Sequence, residues 1–328
     1  MPEGHTVHRI ARQFDRHFVG HEIAVSSPQG RFQAGATEID GHRMVSASAV
    51  GKQLFLGFEN DRILRVHLGL YGAWEFSGVI TADAATGAAG GRMGQIGMAG
   101  IPEDYRPKDA DGEDSLVSMG APRVARLRMA EQEILRDPTD FPPPPVGAVR
   151  VRLLTLSAVA DLRGPTACEV LDPSQAAEAI AKLGPDPIND PPKKSENRFT
   201  ATVLRKPTPI GLLLMDQHVV SGIGNVYRAE LLFRAGLNPY TPGREVPEQT
   251  VRALWKDWTK LLKRGVELGQ MLTIDRLGEK RYRSALAHRN ERHYVYHRTG
   301  LPCRVCSTNI VMEEFGGRKL YWCPSCQA

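Results

Sequence analysis

Two stretches of this chain carry residue types suited to covalent or metal chemistry, one near each end. In the first, Met1-Pro2-Glu3-Gly4, removal of Met1 would leave Pro2 with a free secondary amine. A generic α-amine titrates near 7.7–8.0 and a lysine near 10.4, so about a third of the former is neutral at pH 7.5 and very little of the latter. A neutral amine can attack a sugar aldehyde carbon and form a Schiff base. A prolyl amine is more basic than a generic one, so its surroundings would have to help, and Glu3 is the nearest acid or base. Met-Pro-Glu also begins many proteins that do no chemistry there. In the second stretch, Cys303-x2-Cys306-x16-Cys323-x2-Cys326 fits four-thiolate zinc binding in a ribbon of two short hairpins. So small a unit buries too little to fold unaided, and metal binding supplies on the order of 10 kcal/mol. With thiolates in all four positions, that single Zn2+ is expected to be structural. A turn at Gly316-Gly317-Arg318-Lys319 lifts two cations off the ribbon's tip, which favours phosphate contact over a purely structural clip.

These groups need elements to hold them. Val7, Ile10, Ala11, Phe14 and Phe18 recur at three- and four-residue spacing and predict a helix over 3–18, closed by Gly20, whose apolar stripe would anchor Pro2 in place. From Glu22 to Phe76 the pattern is of short strands, clearest in 42–45, 53–58 and 63–68, as in a sandwich or barrel. Gly51-Lys52 precedes one strand, where a plain surface lysine is the ordinary reading. Gly69-Leu70-Tyr71-Gly72 follows another. Core packing is the usual fate of such an apolar pair, whereas an exposed Leu-Tyr tip suits a duplex wedge.

Residues 77–147 look foreign to this pattern: an Ala/Gly/Met stretch, an acidic run and four prolines at 142–145 read as a flexible insertion, with a short helix at 123–135. Strands resume at 149–154 and 158–162, and Cys168 reads as a small buried strand residue. The expected division is a first domain over 1–172, a linker over 173–194 that includes a short helix at 174–183, a helical domain over 195–301, and the ribbon over 302–328. In the helical domain Gly222-Ile223-Gly224-Asn225 makes a sharp corner before a helix that Asn225 can cap and Gly236 ends. Such corners can grip phosphate, though most only turn the chain.

Net charge sharpens the partner class. Residues 193–328 hold 23 Lys/Arg and 12 Asp/Glu, a net +11, whereas 1–192 carry −6 of the chain's +5 total. A basic half predicts a polyanion, with nucleic acid ahead of membrane because no basic amphipathic helix stands out. No run approaches 18 apolar residues and no leader pattern opens the sequence, so neither spanning nor export is expected.

Taken together, the Met-Pro-Glu-Gly opening, Gly51-Lys52 before a strand, Gly222-Ile223-Gly224-Asn225 and the x16 ribbon with Arg318 five residues before Cys323 resemble the formamidopyrimidine-DNA glycosylase/endonuclease VIII family, over 1–76 and 148–328. The Pro-Glu-Gly opening and Leu70-Tyr71 look more like the endonuclease VIII branch. The resemblance implies a two-lobed α+β fold, with an N-terminal β-sandwich flanked by helices and a C-terminal helix–two-turn–helix lobe bearing the zinc ribbon. It also implies a bifunctional glycosylase and AP lyase of base excision repair, acting as a monomer on damaged DNA, duplex or single-stranded, in the cytoplasm at the nucleoid. Pro2 would be the nucleophile, Glu3 the proton donor, Lys52 an aid to β-elimination and Arg318 to δ-elimination. Asn225 would hold a backbone phosphate, Lys182 stands where an endonuclease VIII-type enzyme has a DNA-contacting arginine, keeping the charge without the fork, and Leu70 and Tyr71 would wedge the duplex. Gly69 stands where a glutamine is expected, and His5-Thr6 replace the usual Pro-Glu, so lesion preference does not carry over; oxidised pyrimidines rank first. An 8-oxoguanine-preferring enzyme and a non-catalytic DNA-binding scaffold are the rivals.

Overall fold

The three- and four-residue spacing near the start becomes α1 (Gly4–His17), with Glu3 and Phe18 at its caps. A computed structural model of the chain describes residues 2–80, 118–120 and 141–328. The predicted stripe is buried, and Phe14 sits edge-on to Trp74 and Phe76 at ring-centroid distances of 4.8 and 5.2 Å. Burying a large aromatic of this kind stabilises a core by about 3–5 kcal/mol relative to alanine. The chain then turns through Gly20, whose φ of 88° is easy for glycine and costly for residues with a Cβ.

The strands are β1 (Glu22–Ser26), β2 (His42–Val50), β3 (Gln53–Phe58), β4 (Ile63–His67), β5 (Ala73–Gly78), β6 (Ser118–Gly120), β7 (Val149–Leu154), β8 (Ala158–Arg163) and β9 (Ala167–Leu171). They pair antiparallel in the order β6-β5-β8-β7-β1-β2-β3-β4-β9. β1 joins two groups of strands whose apolar faces share one core with α1, including Trp74, Phe76 and Leu162 from one group and Leu54, Leu56 and Leu64 from the other. This is the expected β-sandwich with flanking helices.

Three local readings need correction. Between β1 and β2 the chain forms α2 (Gln33–Ile39) rather than another strand. Only Ala36 and Ile39 of its seven residues are buried, so there is too little periodicity for the sequence to announce a helix. Ser118–Gly120, inside the stretch read as foreign, pairs with β5 as an edge strand and sends Met119 into the core. The predicted helix at 123–135, and most of the expected insertion, lie outside the described residues. Cys168 lies on β9 as predicted but is only half-buried.

Contacts divide the chain into two compact units, Met1–Ala181 and Lys182–Ala328. The helix α3 (Pro173–Ala181) belongs to the first, packed on β4 and β9. In the second, α4 (Pro192–Leu204) begins inside the stretch expected to be linker, with proline at its first helical position, where no N–H is missed. It is followed by α5 (Ile210–Leu213), α6 (Asn225–Arg234), α7 (Glu248–Leu268) and α8 (Glu279–Ala287). Val251, Leu254, Trp258, Leu261 and Leu262 bury the apolar face of α7 against α4 and α6. Sequence periodicity gave no notice of α8, whose C-terminal carbonyls at Ala285 and Leu286 are capped by the buried Arg292 guanidinium. The ribbon contains one hairpin, β10 (Val311–Phe315) and β11 (Arg318–Trp322). In place of the expected second hairpin, a single bridge between Pro302 and Asn309 spans the first cysteine pair.

Candidate functional sites

In the first unit the start of α1 is interior, not surface. Pro2 is buried, Glu3 is fully buried, and His5 and Thr6 are less than a tenth exposed. The Glu3 carbonyl accepts the Thr6 N–H at 3.0 Å, which fixes the backbone entering the helix. Burial, reinforced by the nearby Arg9 guanidinium, pushes the His5 imidazole down to about 3, so the ring is neutral at any ordinary pH. It lies 3.3 Å from the Thr6 hydroxyl. Composition could not reveal that a buried acid stands beside the proposed nucleophile, with a neutral hydrogen-bonding ring two residues on.

Lys52 sits half-buried in the tight turn joining β2 to β3, after Gly51 with φ of 58°. Its backbone carbonyl lies 3.0 Å from His67 Nδ1 on β4, which ties the turn to the sheet. Burial lowers the His67 pKa despite that bond. After β4, Leu70 and Tyr71 stand 39% and 59% exposed at the tip of their loop, not in the core. Gly69 explains the loop's shape: its φ is 65°, and a Cβ there would fall 1.8 Å from Thr166 Oγ1. A longer side chain at 69 would strain the backbone and force Thr166 to move.

In the second unit Lys182 is exposed, and its carbonyl takes a hydrogen bond from His218 Nδ1. The corner after Ser221 places Asn225 as the first residue of α6, with Gly224 at the cap position. Asn225 therefore does not cap the helix. Its carboxamide instead faces the ribbon, where Nδ2 donates to the Lys319 carbonyl at 2.7 Å. Arg318 opens β11, exposed, immediately after Gly316 and Gly317, which have φ of 62° and 70°. Asn225 and the Arg318 turn are thus brought together although 93 residues apart in sequence.

Sequence reasoning missed Glu230. It is fully buried on α6, where it accepts the N–H groups of Tyr294, Val295 and Tyr296 at 2.8–2.9 Å and the Thr273 hydroxyl at 2.5 Å. An acid inside the apolar run Ala229-Glu230-Leu231-Leu232-Phe233 was the available signal, since a carboxylate is buried only where donors meet it. By this means α6 fixes the chain that leads into the first zinc-site cysteine.

The four sulfurs of Cys303, Cys306, Cys323 and Cys326 lie within 4.8 Å of one another, with Cys303–Cys326 at 3.9 Å and Cys306–Cys323 at 3.4 Å. A tetrahedral site with Zn–S of about 2.3 Å needs sulfurs about 3.8 Å apart, so the cluster fits one zinc ion with no position left for water or substrate. The thiols are free, not paired as disulfides. Hydrogen bonds from the Thr308 side chain and backbone pull the Cys306 thiol down to about 6, while burial pushes Cys323 and Cys326 up, so a bound metal would have to displace their protons. Zinc here is structural.

Against this geometry stand the comparisons with known proteins. Residues 1–102 match the formamidopyrimidine-DNA glycosylase N-terminal domain, 183–276 the formamidopyrimidine-DNA glycosylase H2TH domain, and 300–328 a zinc finger found in FPG and IleRS. The chain is 37% identical over 327 residues to a Mycobacterium tuberculosis protein named Endonuclease 8 1, with the whole of both chains covered. A formamidopyrimidine-DNA glycosylase of Thermus thermophilus is 33% identical over 151 residues, 45% of this chain and 54% of that protein. Among solved structures, the Lactococcus lactis formamidopyrimidine-DNA glycosylase bound to DNA containing an AP site superposes with a TM-score of 0.68 at 18% identity, covering 99% of each chain, a likeness of fold. On full-length identity and on all three matched regions, the chain belongs to the formamidopyrimidine-DNA glycosylase/endonuclease VIII family.

Proposed function

We propose that this protein is a bifunctional DNA glycosylase and AP lyase of base excision repair that uses the Pro2 amine as nucleophile. The observation that carries the reading is the buried start of α1, where Pro2 and a fully buried Glu3 are held by an apolar helix face. Its relative's name and the DNA in its structural neighbour point the same way. The Pro2 lone pair attacks C1′ of the damaged nucleotide. The N-glycosidic bond breaks, its electron pair leaves with the base, and a proton is supplied as the base departs. Opening of the sugar, with Glu3 giving a proton to the ring oxygen, yields the Schiff base. Removal of a C2′ proton, which Lys52 assists, then breaks C3′–O. Removal of the C4′ proton breaks C5′–O, with Arg318 stabilising the phosphate that departs, and water hydrolyses the remaining imine. Each cation acts where an anionic leaving group develops, which is where fixed positive charge lowers a barrier most.

Lys182 and the corner before α6 serve as phosphate contacts, and the exposed Leu70-Tyr71 tip is the wedge. Oxidised pyrimidines are the preferred substrates, and the structural zinc takes no part in the chemistry. The test is borohydride reduction of the protein mixed with a duplex carrying one abasic site, after mass analysis shows Met1 removed. A covalent adduct that disappears in Pro2→Thr, with zinc retained, is the expected result. No adduct from the wild-type protein would leave a DNA-binding scaffold. Faster excision of 8-oxoguanine than of oxidised pyrimidines would overturn the substrate preference alone.

A further inference from the structure

Arg228 lies on α6 three residues after Asn225, is completely buried, and has no part in the reaction scheme above. Its guanidinium is joined to the ribbon hairpin. Nη2 donates to Asn225 Oδ1 and, at 3.2 Å, to the Lys319 carbonyl, while Nη1 reaches the Phe315 carbonyl at 3.5 Å. Phe315 and Lys319 flank the Gly316-Gly317-Arg318 turn, so one planar cation holds both sides of the segment that presents Arg318. Asn225 completes the arrangement by donating to the same Lys319 carbonyl.

The β10–β11 ladder runs up to the turn through the Phe315–Arg318 pair, and Arg228 ties that ladder to α6. Gly316 and Gly317 contribute no side chain, and a Cβ at Gly316 would strain its φ of 62° and fall 2.5 Å from Leu212 Cδ2, forcing that side chain to shift. Tyr240 packs on the Phe315 ring with centroids 4.6 Å apart, which steadies the hairpin's flank but not its tip. A buried guanidinium is an expensive way to join two elements, since its charge is stripped of water. An apolar side chain of similar length would fill the space without that cost. What it could not supply is a rigid fork of donors that meets carbonyls on both sides of the turn, and lysine could not supply it either.

We propose that Arg228 is a positioning residue for strand cleavage: it locks the Arg318 turn and the Asn225 carboxamide into one phosphate-handling unit, and so governs whether the lyase sequence proceeds from β- to δ-elimination. The proposal rests on the lyase reading above. In the δ step the C4′ proton passes to a base, and the electron pair of the breaking C5′–O bond leaves on the phosphate. That phosphate needs a cation at a fixed place, and misplacement by about 1 Å can cost on the order of a hundredfold. Schiff-base formation at Pro2 draws on residues of the first unit and is much less exposed to the change.

Single-turnover incision of an abasic-site duplex by Arg228→Lys and Arg228→Met provides the test, with products resolved into the unsaturated-aldehyde and 3′-phosphate ends. Borohydride adduct yield and zinc content are measured alongside. The expected result is zinc retained, adduct yield within about threefold of wild type, and a δ-elimination rate lowered at least about tenfold, so that the β product accumulates. Arg228→Lys keeps the charge and most of the stem, and it should still accumulate β product because the fork is gone. An unchanged ratio of δ to β product in both variants overturns the proposal. So does joint loss of zinc, adduct and incision, which would make Arg228 a fold residue only. Absence of adduct from the wild-type protein refutes the lyase reading itself and is seen before any variant is compared.

Discussion

The start of α1 and the turn at Arg318 are given successive roles in the proposed reaction, yet they are held by different balances of forces. Pro2 and Glu3 are fixed because the helix that follows them buries Val7, Ile10, Phe14 and Phe18 in a sheet core. Arg318 sits over only a small apolar cluster that includes Phe233, Val295, Ile310 and Tyr321, and its turn leans more on polar and metal bonds: a tetrathiolate cluster, the Glu230 carboxylate on three backbone N–H groups, and the Arg228–Asn225 link to the hairpin. An apolar face is non-directional and tolerates small rearrangement, while hydrogen bonds and metal ligands specify geometry and fail abruptly when one partner is removed. The difference suits the proposed tasks. A nucleophile needs a stable anchor, and a leaving phosphate needs a cation at one place.

Removing zinc should separate the two regions most strongly. A chelator strong enough to strip the four cysteines withdraws on the order of 10 kcal/mol from the ribbon. Amide exchange should become fast across β10 and β11 and stay slow across β7 and β8. If both regions lost protection together, the claim that they are held independently would fail. A smaller effect is expected at the apolar anchor. Phe14→Ala should destabilise the first unit by about 3–5 kcal/mol, with exchange accelerated in β5 and β8 and zinc still bound. Equal acceleration in the ribbon would contradict the comparison from the other side.

The smallest effect is one of pH. His5 is held at about 3 in the folded chain, against an ordinary 6.5, chiefly by burial and next by Arg9. Between those values the unfolded chain binds a proton that the folded chain refuses. The stability of the first unit should therefore be complete above about pH 6.5 and fall as pH drops toward 3, by about 1.4 kcal/mol per pH unit for one proton. His67 shifts in the same direction and adds to the slope. Denaturant titrations at stepped pH check this, and His5→Gln should flatten the curve. A slope unchanged by that substitution would show that His5 is not held neutral by the core.

Much of both regions was legible before the fold was known, for identifiable reasons. The helix after Pro2 could be read because five apolar residues keep its period, and the zinc cluster because metal geometry is reflected in cysteine spacing. α2 was not legible, because a helix of seven residues with two buried side chains leaves no period to detect. Asn225 was misjudged because a cap is the commonest use of an asparagine after a glycine corner, and its actual partner, the Lys319 carbonyl, lies 94 residues away. Arg228 and Glu230 are interior, and helical spacing alone does not tell which partners bury them.

The sequence alone therefore determined the class of element at each end, the metal, the basic half and the residue types available for chemistry, since these depend on spacing, composition and charge. Only the tertiary structure decided which polar groups are buried, that Leu70 and Tyr71 face outward, and that α6 grips the Arg318 turn. Those outcomes depend on contacts between residues distant in sequence, where each polar group must find its partner in space once water has been excluded.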